Sequence, residues 1–119
     1  MEYSKDNLLD ENIIQNLIEL GGDDGNSFLK EIIDLYIEQF PGLFNDIKSH
    51  FEKGDALKMS QSAHALKGAS LNIGAKVSAS ICKEIELKGK GNDLNGISEL
   101  INELQVVNKL TLSEFNKLL

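Results

Sequence analysis

Tryptophan is absent from this 119-residue sequence, and cysteine and proline occur once each, as Cys82 and Pro41. A single cysteine excludes an internal disulfide and a metal site built from several cysteines, and we expect Cys82 to be a packing residue. No apolar run approaches the length of about 18 residues that a membrane helix needs, and no basic region followed by an apolar stretch marks a secretory signal. We therefore expect no membrane partner and a cytoplasmic location.

Basic residues are in the minority. The chain has 12 basic side chains against 19 acidic ones, a formal net charge of −7. Nucleic acid and anionic membranes both need a basic surface on the protein, so the charge argues against either as a partner. The length suffices for one hydrophobic core but not for two, so residues 1–119 are expected to form a single domain.

What the sequence does contain is helical periodicity, with no β-type alternation competing with it. Apolar residues recur at steps of three and four along five segments, at about residues 10–20, 26–53, 55–73, 76–88 and 94–118. Aspartates stand where they can cap the following helices, at Asp23, Asp24, Asp55 and Asp93. Pro41 lies within the second segment, where we expect a kink, although two separate helices remain possible.

The connections between these segments are short, so successive long helices should lie antiparallel. The sequence therefore predicts an all-α fold, an antiparallel up-and-down four-helix bundle with a short extra N-terminal helix. One apolar seam per long helix is used by such a bundle, which favours a monomer.

The third segment carries the most informative residues. Its apolar seam follows steps of three and four: Ala56, Met59, Ala63, Leu66, Ser70 and Ile73. His64 lies off this seam, with Lys67 three and Gly68 four residues further along, so both neighbour the imidazole on the helix surface. Glycine inside a helix costs about 0.5–1 kcal/mol relative to alanine, and no turn signal requires Gly68. We interpret Gly68 as clearance that lets another backbone or a phosphate reach the ring.

His64 and Lys67 suit phosphoryl chemistry when taken together. Neutral imidazole is a nucleophile near neutral pH, and the Lys67 ammonium can act as a point charge for phosphate oxygens. Leu57, Gln61 and Leu71 share this flank of the helix. If the leucines are exposed, they surround His64 with an apolar docking surface; cover by the neighbouring helices is equally open.

The segment from His64 to Ala75 resembles the signature of histidine-containing phosphotransfer (Hpt) domains of two-component phosphorelays. That signature reads His-x-Leu-Lys-Gly-small-small-x-x-aliphatic-Gly and then an aliphatic or small residue, and every fixed place is met here. Residues 54–55, residues 82–86 and the Gly-Gly-Asp region before the second segment resemble family features as well. The resemblance covers nearly the whole chain.

The resemblance implies that His64 accepts a phosphoryl group from a receiver-domain aspartate and relays it to another receiver aspartate. It implies that Lys67 steadies the phosphoryl oxygens, that Gly68 gives access, and that Glu86 orients the imidazole from a position where glutamine is common. A carboxylate there would also repel a phosphate. The implied partners are response-regulator receiver domains and a hybrid histidine kinase. The resemblance further implies that the receiver supplies Mg²⁺ and that this chain holds no cofactor or metal site.

An autonomous enzyme is one alternative. A kinase needs an ATP site, and no Gly-x-x-x-x-Gly-Lys-Ser/Thr loop exists here. A hydrolase needs a nucleophile oriented by histidine; Ser60 is one turn from His64, but no third group that would orient the ring is evident. We therefore predict a phosphotransfer intermediate rather than an autonomous kinase or phosphatase.

Two further alternatives concern the context of the domain. A helical adaptor that binds a receiver or kinase without phosphate needs none of the three residues His64, Lys67 and Gly68. A domain cut from a hybrid or chemotaxis-type kinase would have the same sequence pattern, although Met1 favours a free-standing protein. His50, near the end of the long second segment, is interpreted as structural rather than as a second phosphorylation site.

Overall fold

Helices make up most of the chain. The computed structural model describes residues 5–119, with side chains from Asn7 onward, and contains no β-strand over that range. The helices are α1 (Lys5–Leu8), α2 (Glu11–Leu20), α3 (Gly25–Glu52), α4 (Ala56–Asn72), α5 (Lys76–Lys90) and α6 (Ile97–Leu118), with a 3₁₀ turn at Gly22–Asp24. None of the described helices is both long enough and apolar enough to cross a membrane.

The four long helices, α3 to α6, form the bundle. α3 packs on α4, α4 on α5, α5 on α6, and α6 returns to α3, which closes a ring of four. Residues 53–55, 73–75 and 91–96 connect them, and links of this length reverse the chain so that neighbours run antiparallel. The short helix α2 lies against α3. The predicted bundle with a short additional N-terminal helix is therefore confirmed.

The core is lined by one apolar stripe from each long helix. The predicted seam of α4 is buried at all six positions, from Ala56 to Ile73. Across from it, α3 contributes Leu29, Ile33, Tyr36, Phe40, Phe44 and Ile47. Cys82 is fully buried, as expected of a packing residue, and burial raises the pKa of its thiol to about 12. His64 faces away from this core because it is off the α4 seam.

Pro41 lies inside α3 without ending it. Proline has no N–H for the carbonyl four residues earlier, which belongs to Ile37. Both residues are on the exposed side of α3, where water can bind that carbonyl. Since α3 runs through all 28 residues, the alternative of two separate helices is wrong.

The structure differs from the predicted boundaries mainly at the caps. Asp24 precedes α3 but makes no side-chain capping hydrogen bond, because residues 22–24 form the 3₁₀ turn. Asp93 does not cap α6 either: its Oδ1 accepts from the Asn95 N–H at 3.0 Å, inside the connecting turn. α6 begins only at Ile97, after Gly96 in the left-handed region at φ +76°. Asp55, in contrast, caps α4 through the Lys58 N–H at 3.1 Å.

Candidate functional site

The candidate site lies where α4 and α5 are tightly packed. A Cβ on Gly89 would come within 2.7 Å of the Ala56 carbonyl oxygen and 2.8 Å of the Ser60 Cβ, so only glycine permits this spacing. The Ser60 hydroxyl donates to the Glu86 carbonyl at 2.9 Å, which ties the two backbones together. These contacts fix the side chain of Glu86 on α5 beneath the His64 side of α4.

Glu86 receives three nitrogen donors. Its Oε2 lies 2.9 Å from His64 Nδ1, and its Oε1 accepts from Lys67 Nζ at 2.7 Å. Lys90, one turn further along α5, places its Nζ 3.2 Å from Oε2. Glu86 is only 3% exposed because these side chains cover it. An almost buried carboxylate is thus matched by two ammonium groups and an imidazole.

These donors hold the Glu86 carboxylate in its ionised form. The Lys67 hydrogen bond is the largest cause and, with smaller contributions from His64 and Lys90, lowers the pKa of Glu86 to about 2, although burial acts in the opposite direction. An ionised carboxylate is an acceptor only. Glu86 therefore cannot donate a hydrogen to His64 at any pH near neutral.

The protonation of the His64 ring follows from this contact. Because Glu86 can only accept, the 2.9 Å contact requires the hydrogen on Nδ1. A neutral ring then carries its lone pair on Nε2, the nitrogen remote from the carboxylate. The His64 side chain is 67% exposed, so this lone pair is open to a reagent that arrives from outside.

Gly68 lies beside the ring on open surface. A Cβ placed there would meet no atom within 4 Å apart from its own helix, so no packing contact among the described residues requires glycine. Clearance for an incoming molecule stays a prediction for this position. Lys67, on the same turn, is directed to Glu86 and keeps 23% of its side chain exposed.

The surface around His64 is partly apolar. Leu57 is 62% and Leu71 is 52% exposed, which resolves the open alternative in favour of exposure rather than cover by neighbouring helices. A shallow depression of about 390 Å³ adjoins the ring and is lined by Leu57, Ser60, Gln61, His64, Glu86 and Lys90. His50 lies in the last turn of α3 and is not among these residues.

The structure brings together all four residues predicted for the site and adds two that sequence reasoning missed. Lys90 shares Glu86 with His64 and Lys67, and Ser60 fixes the Glu86 backbone. The sequence did not reveal Lys90, because the predicted segment ended at about residue 88; in the structure α5 continues to Lys90, four residues after Glu86, and the two form a favourable pair. The Ser60 contact joins residues on different helices and has no local signal.

Comparisons with known proteins identify the family of this chain. The profile of the Hpt domain family matches residues 31–110. The chain is 30% identical over 96 residues to multistep phosphorelay regulator 1 of Schizosaccharomyces pombe, covering 81% of this chain and 32% of that protein. It therefore spans about a third of the length of this relative. It also resembles the crystal structure of histidine-containing phosphotransfer protein B from Pseudomonas aeruginosa PAO1, with a TM-score of 0.71, 25% identity, and 93% and 96% of the two chains covered.

The structure is a helical bundle in which an exposed histidine lies against a carboxylate. The chain belongs to the Hpt domain family, because the family profile matches well over half of its residues. This places it among the histidine-containing phosphotransfer domains of two-component signalling.

Proposed function

We propose that this protein accepts a phosphoryl group on Nε2 of His64 from the aspartate of one receiver domain and passes it to the aspartate of a second receiver. The observation that carries the proposal is the 2.9 Å contact between His64 Nδ1 and Glu86, in a ring that is 67% exposed. It leaves a lone pair on the outward nitrogen, where a relay intermediate needs its nucleophile.

The transfer step balances without any proton movement. As the Nε2 lone pair forms the N–P bond, the P–O bond to the receiver aspartate breaks, and the aspartate leaves as a carboxylate. Nδ1 keeps its hydrogen, so the phosphorylated ring becomes cationic and faces the Glu86 carboxylate. The same step in reverse, with a second receiver aspartate as nucleophile, restores the neutral ring.

Glu86 supports this step rather than opposing it. The sequence alone suggests that a carboxylate repels a phosphoryl group. In this site, however, the carboxylate lies against Nδ1, on the side of the ring away from Nε2, and two ammonium groups neutralise it. Charge repulsion is thereby reduced, while the cationic ring of the phosphorylated form gains a counter-ion.

A partner has a defined part in the proposed reaction. The loose transition state of phosphoryl transfer depends on positioning and charge compensation, and we propose that the receiver domain brings Mg²⁺ with its phosphoaspartate. Leu57, Gln61 and Leu71 form the proposed docking surface, and Gly68 admits the receiver backbone. Response regulators and a hybrid histidine kinase are the proposed partners.

A transfer assay with radiolabelled phosphate tests the proposal. Phosphorylated receiver domain is mixed with wild type, His64→Gln and His50→Gln, and a second receiver is added afterwards. The wild type and His50→Gln should gain an acid-labile, alkali-stable label that moves to the second receiver, while His64→Gln should stay unlabelled.

His50→Gln is the matched control because these are the two histidines of the chain. His64→Gln should unfold at the wild-type temperature, since the side chain is largely exposed and glutamine keeps a donor for Glu86. Absence of label from folded wild type with a panel of receivers would contradict the proposal and favour an adaptor that binds without phosphate.

A further inference from the structure

Lys67 has two tasks at this site that compete with each other. Its ammonium is bound to Glu86 Oε1 at 2.7 Å, while a phosphoryl group on His64, three residues away on the same helix, would attract the same ammonium to its oxygens. If Lys67 turned to the phosphoryl group, Glu86 would lose its shortest ion pair and part of the cover that keeps it 3% exposed. A carboxylate that loses a close counter-charge is less well stabilised, so Lys67 turns more readily if another cation remains.

Lys90 is placed to be that cation. Its Nζ lies 3.2 Å from Glu86 Oε2, the oxygen that also faces His64 Nδ1, whereas Lys67 holds the other oxygen. Lys90 and Glu86 are one turn apart on α5, so their contact does not depend on any movement of α4. The Lys90 side chain is 61% exposed and lines the same depression as His64.

The net charge of the cluster also favours this role of Lys90. The groups that face Glu86 are His64 and Lys67 from α4 and Lys90 from its own helix. Two ammonium groups and one carboxylate give a single positive charge beside a neutral ring. A phosphoryl group brings about two negative charges at neutral pH and makes the ring cationic, so the cluster is about neutral with both lysines and becomes negative when either is lost.

We propose that Lys90 is a positioning residue that retains the Glu86 carboxylate against the ring and so releases Lys67 to the phosphoryl oxygens. This inference rests on the proposed function in so far as it assumes phosphorylation of His64. It assigns Lys90 an action through Glu86 and not a direct contact with the phosphoryl group.

The role of Lys90 can be tested without any receiver by using phosphoramidate as the phosphoryl donor. This small donor releases ammonia as the N–P bond to the ring forms. The rate of His64 phosphorylation is measured for wild type, Lys90→Gln, Glu86→Gln and the double variant. Lys90→Gln should slow the reaction about two- to fivefold, the effect of one partly exposed charge contact. In the Glu86→Gln background, the same change should have little effect, because no carboxylate then competes for Lys67.

Two controls complete the test. Lys90→Arg should restore the rate, since a guanidinium can hold the same carboxylate. Lys88→Gln removes an equal charge from the same helix, but Lys88 Nζ donates to the Asn95 carbonyl in the turn before α6, so the rate should stay unchanged. Thermal unfolding of each variant excludes loss of fold as the cause.

The possible results separate the two proposals. An unchanged rate in Lys90→Gln, or an equal loss in the Glu86→Gln background, would overturn the positioning role while leaving His64 as acceptor. Wild type that gains no label on His64 would overturn both. Label on His64 with the predicted pattern, together with failure of transfer between receivers, would uphold Lys90 and contradict only the relay.

Discussion

Glu86 is the residue around which the site is organised, since it joins three nitrogen donors from α4 and α5 on one carboxylate. It fixes the hydrogen on Nδ1 of His64 and therefore decides which nitrogen can react. His64, Lys67 and Gly68 were predicted from spacing along one helix. Glu86 was predicted only through the family resemblance, because contacts between helices leave no local pattern in a sequence.

The ionised state of Glu86 should make stability depend on pH. Its pKa is lowered to about 2 in the folded protein, against about 4.3 in an unfolded chain, so the folded state favours the carboxylate. This contribution is complete above the unfolded value and is lost as the pH falls toward 2. Wild type should therefore be more stable than Glu86→Gln at pH 7, and the gap should narrow below about pH 4.5.

Urea denaturation of both proteins between pH 7 and pH 3 measures this gap. Asp93→Asn serves as a comparison. The pKa of Asp93 is also lowered, chiefly by the Asn95 backbone N–H, but Asp93 lies in an exposed turn that is far from the histidine in sequence. A gap between wild type and Glu86→Gln that stays constant over this pH range would show that the carboxylate is not stabilised by its neighbours.

At the scale of the helices, two glycines have opposite roles. Gly89 on α5 is required by close packing against Ala56 and Ser60, whereas Gly68 on α4 faces open space. The sequence places Gly68 inside a helix but predicts Gly89 just beyond the end of the fourth segment, so the packing role of Gly89 was not predicted. Only the approach of α5 to α4 shows that one glycine is structural and the other is open to a partner.

Alanine at each position should reveal the difference. Gly68→Ala should raise the free energy of unfolding by about 0.5–1 kcal/mol, because alanine is the better helix former and meets no neighbour. Gly89→Ala should lower it by about 1–3 kcal/mol, since its Cβ would push α4 and α5 apart. Urea denaturation at neutral pH measures both. If both substitutions changed the free energy of unfolding in the same direction, the assignment of Gly89 as structural and Gly68 as open to a partner would be contradicted.

Larger side chains at position 68 test access rather than stability. Gly68→Gln should be at least as stable as wild type, because glutamine is a better helix former than glycine, yet it should slow phosphoryl transfer from a receiver by blocking its approach. The reaction with phosphoramidate should be affected much less, because that donor is small. If transfer from the receiver is unchanged, the glycine does not serve as clearance.

Among the helices, some features could be predicted from the sequence and others could not. The α4 seam was correct at every position, because the apolar residues of this helix lie in one narrow stripe. For α3 the pattern was broader, and Leu35 and Ile37 are 48% and 42% exposed although their spacing predicts burial. The start of α6 was missed because Asp93 can stabilise either a helix or a turn, and the turn prevails in the structure.

Over the whole molecule, charge is divided unevenly. Residues 56–90, which form α4 and α5, contain six of the lysines but only two of the acidic residues, Glu84 and Glu86. The segment thus carries a net positive charge within a chain whose total is −7. Lys67, Lys76 and Lys83 line one depression next to the site, together with Leu71, Ala79 and Ser80. The face that presents His64 therefore suits an acidic partner surface.

The positive charge of the α4 and α5 segment predicts that the rate of association with a receiver depends on the salt concentration. Lys83→Glu should slow association by about one order of magnitude at low salt, and the loss should shrink as ionic strength rises. Lys109→Glu makes the same charge change on α6, outside the α4 and α5 face, and should have a smaller effect. Stopped-flow binding at several salt concentrations measures both. Equal effects of the two variants would show that only total charge matters.

Nuclear magnetic resonance of ¹⁵N-labelled protein after phosphorylation tests the central claim most directly, because one-bond coupling to ³¹P identifies the nitrogen that carries the phosphoryl group. The account predicts coupling at Nε2 of His64, with the hydrogen retained on Nδ1 next to Glu86. Coupling at Nδ1, or at either nitrogen of His50, would contradict it.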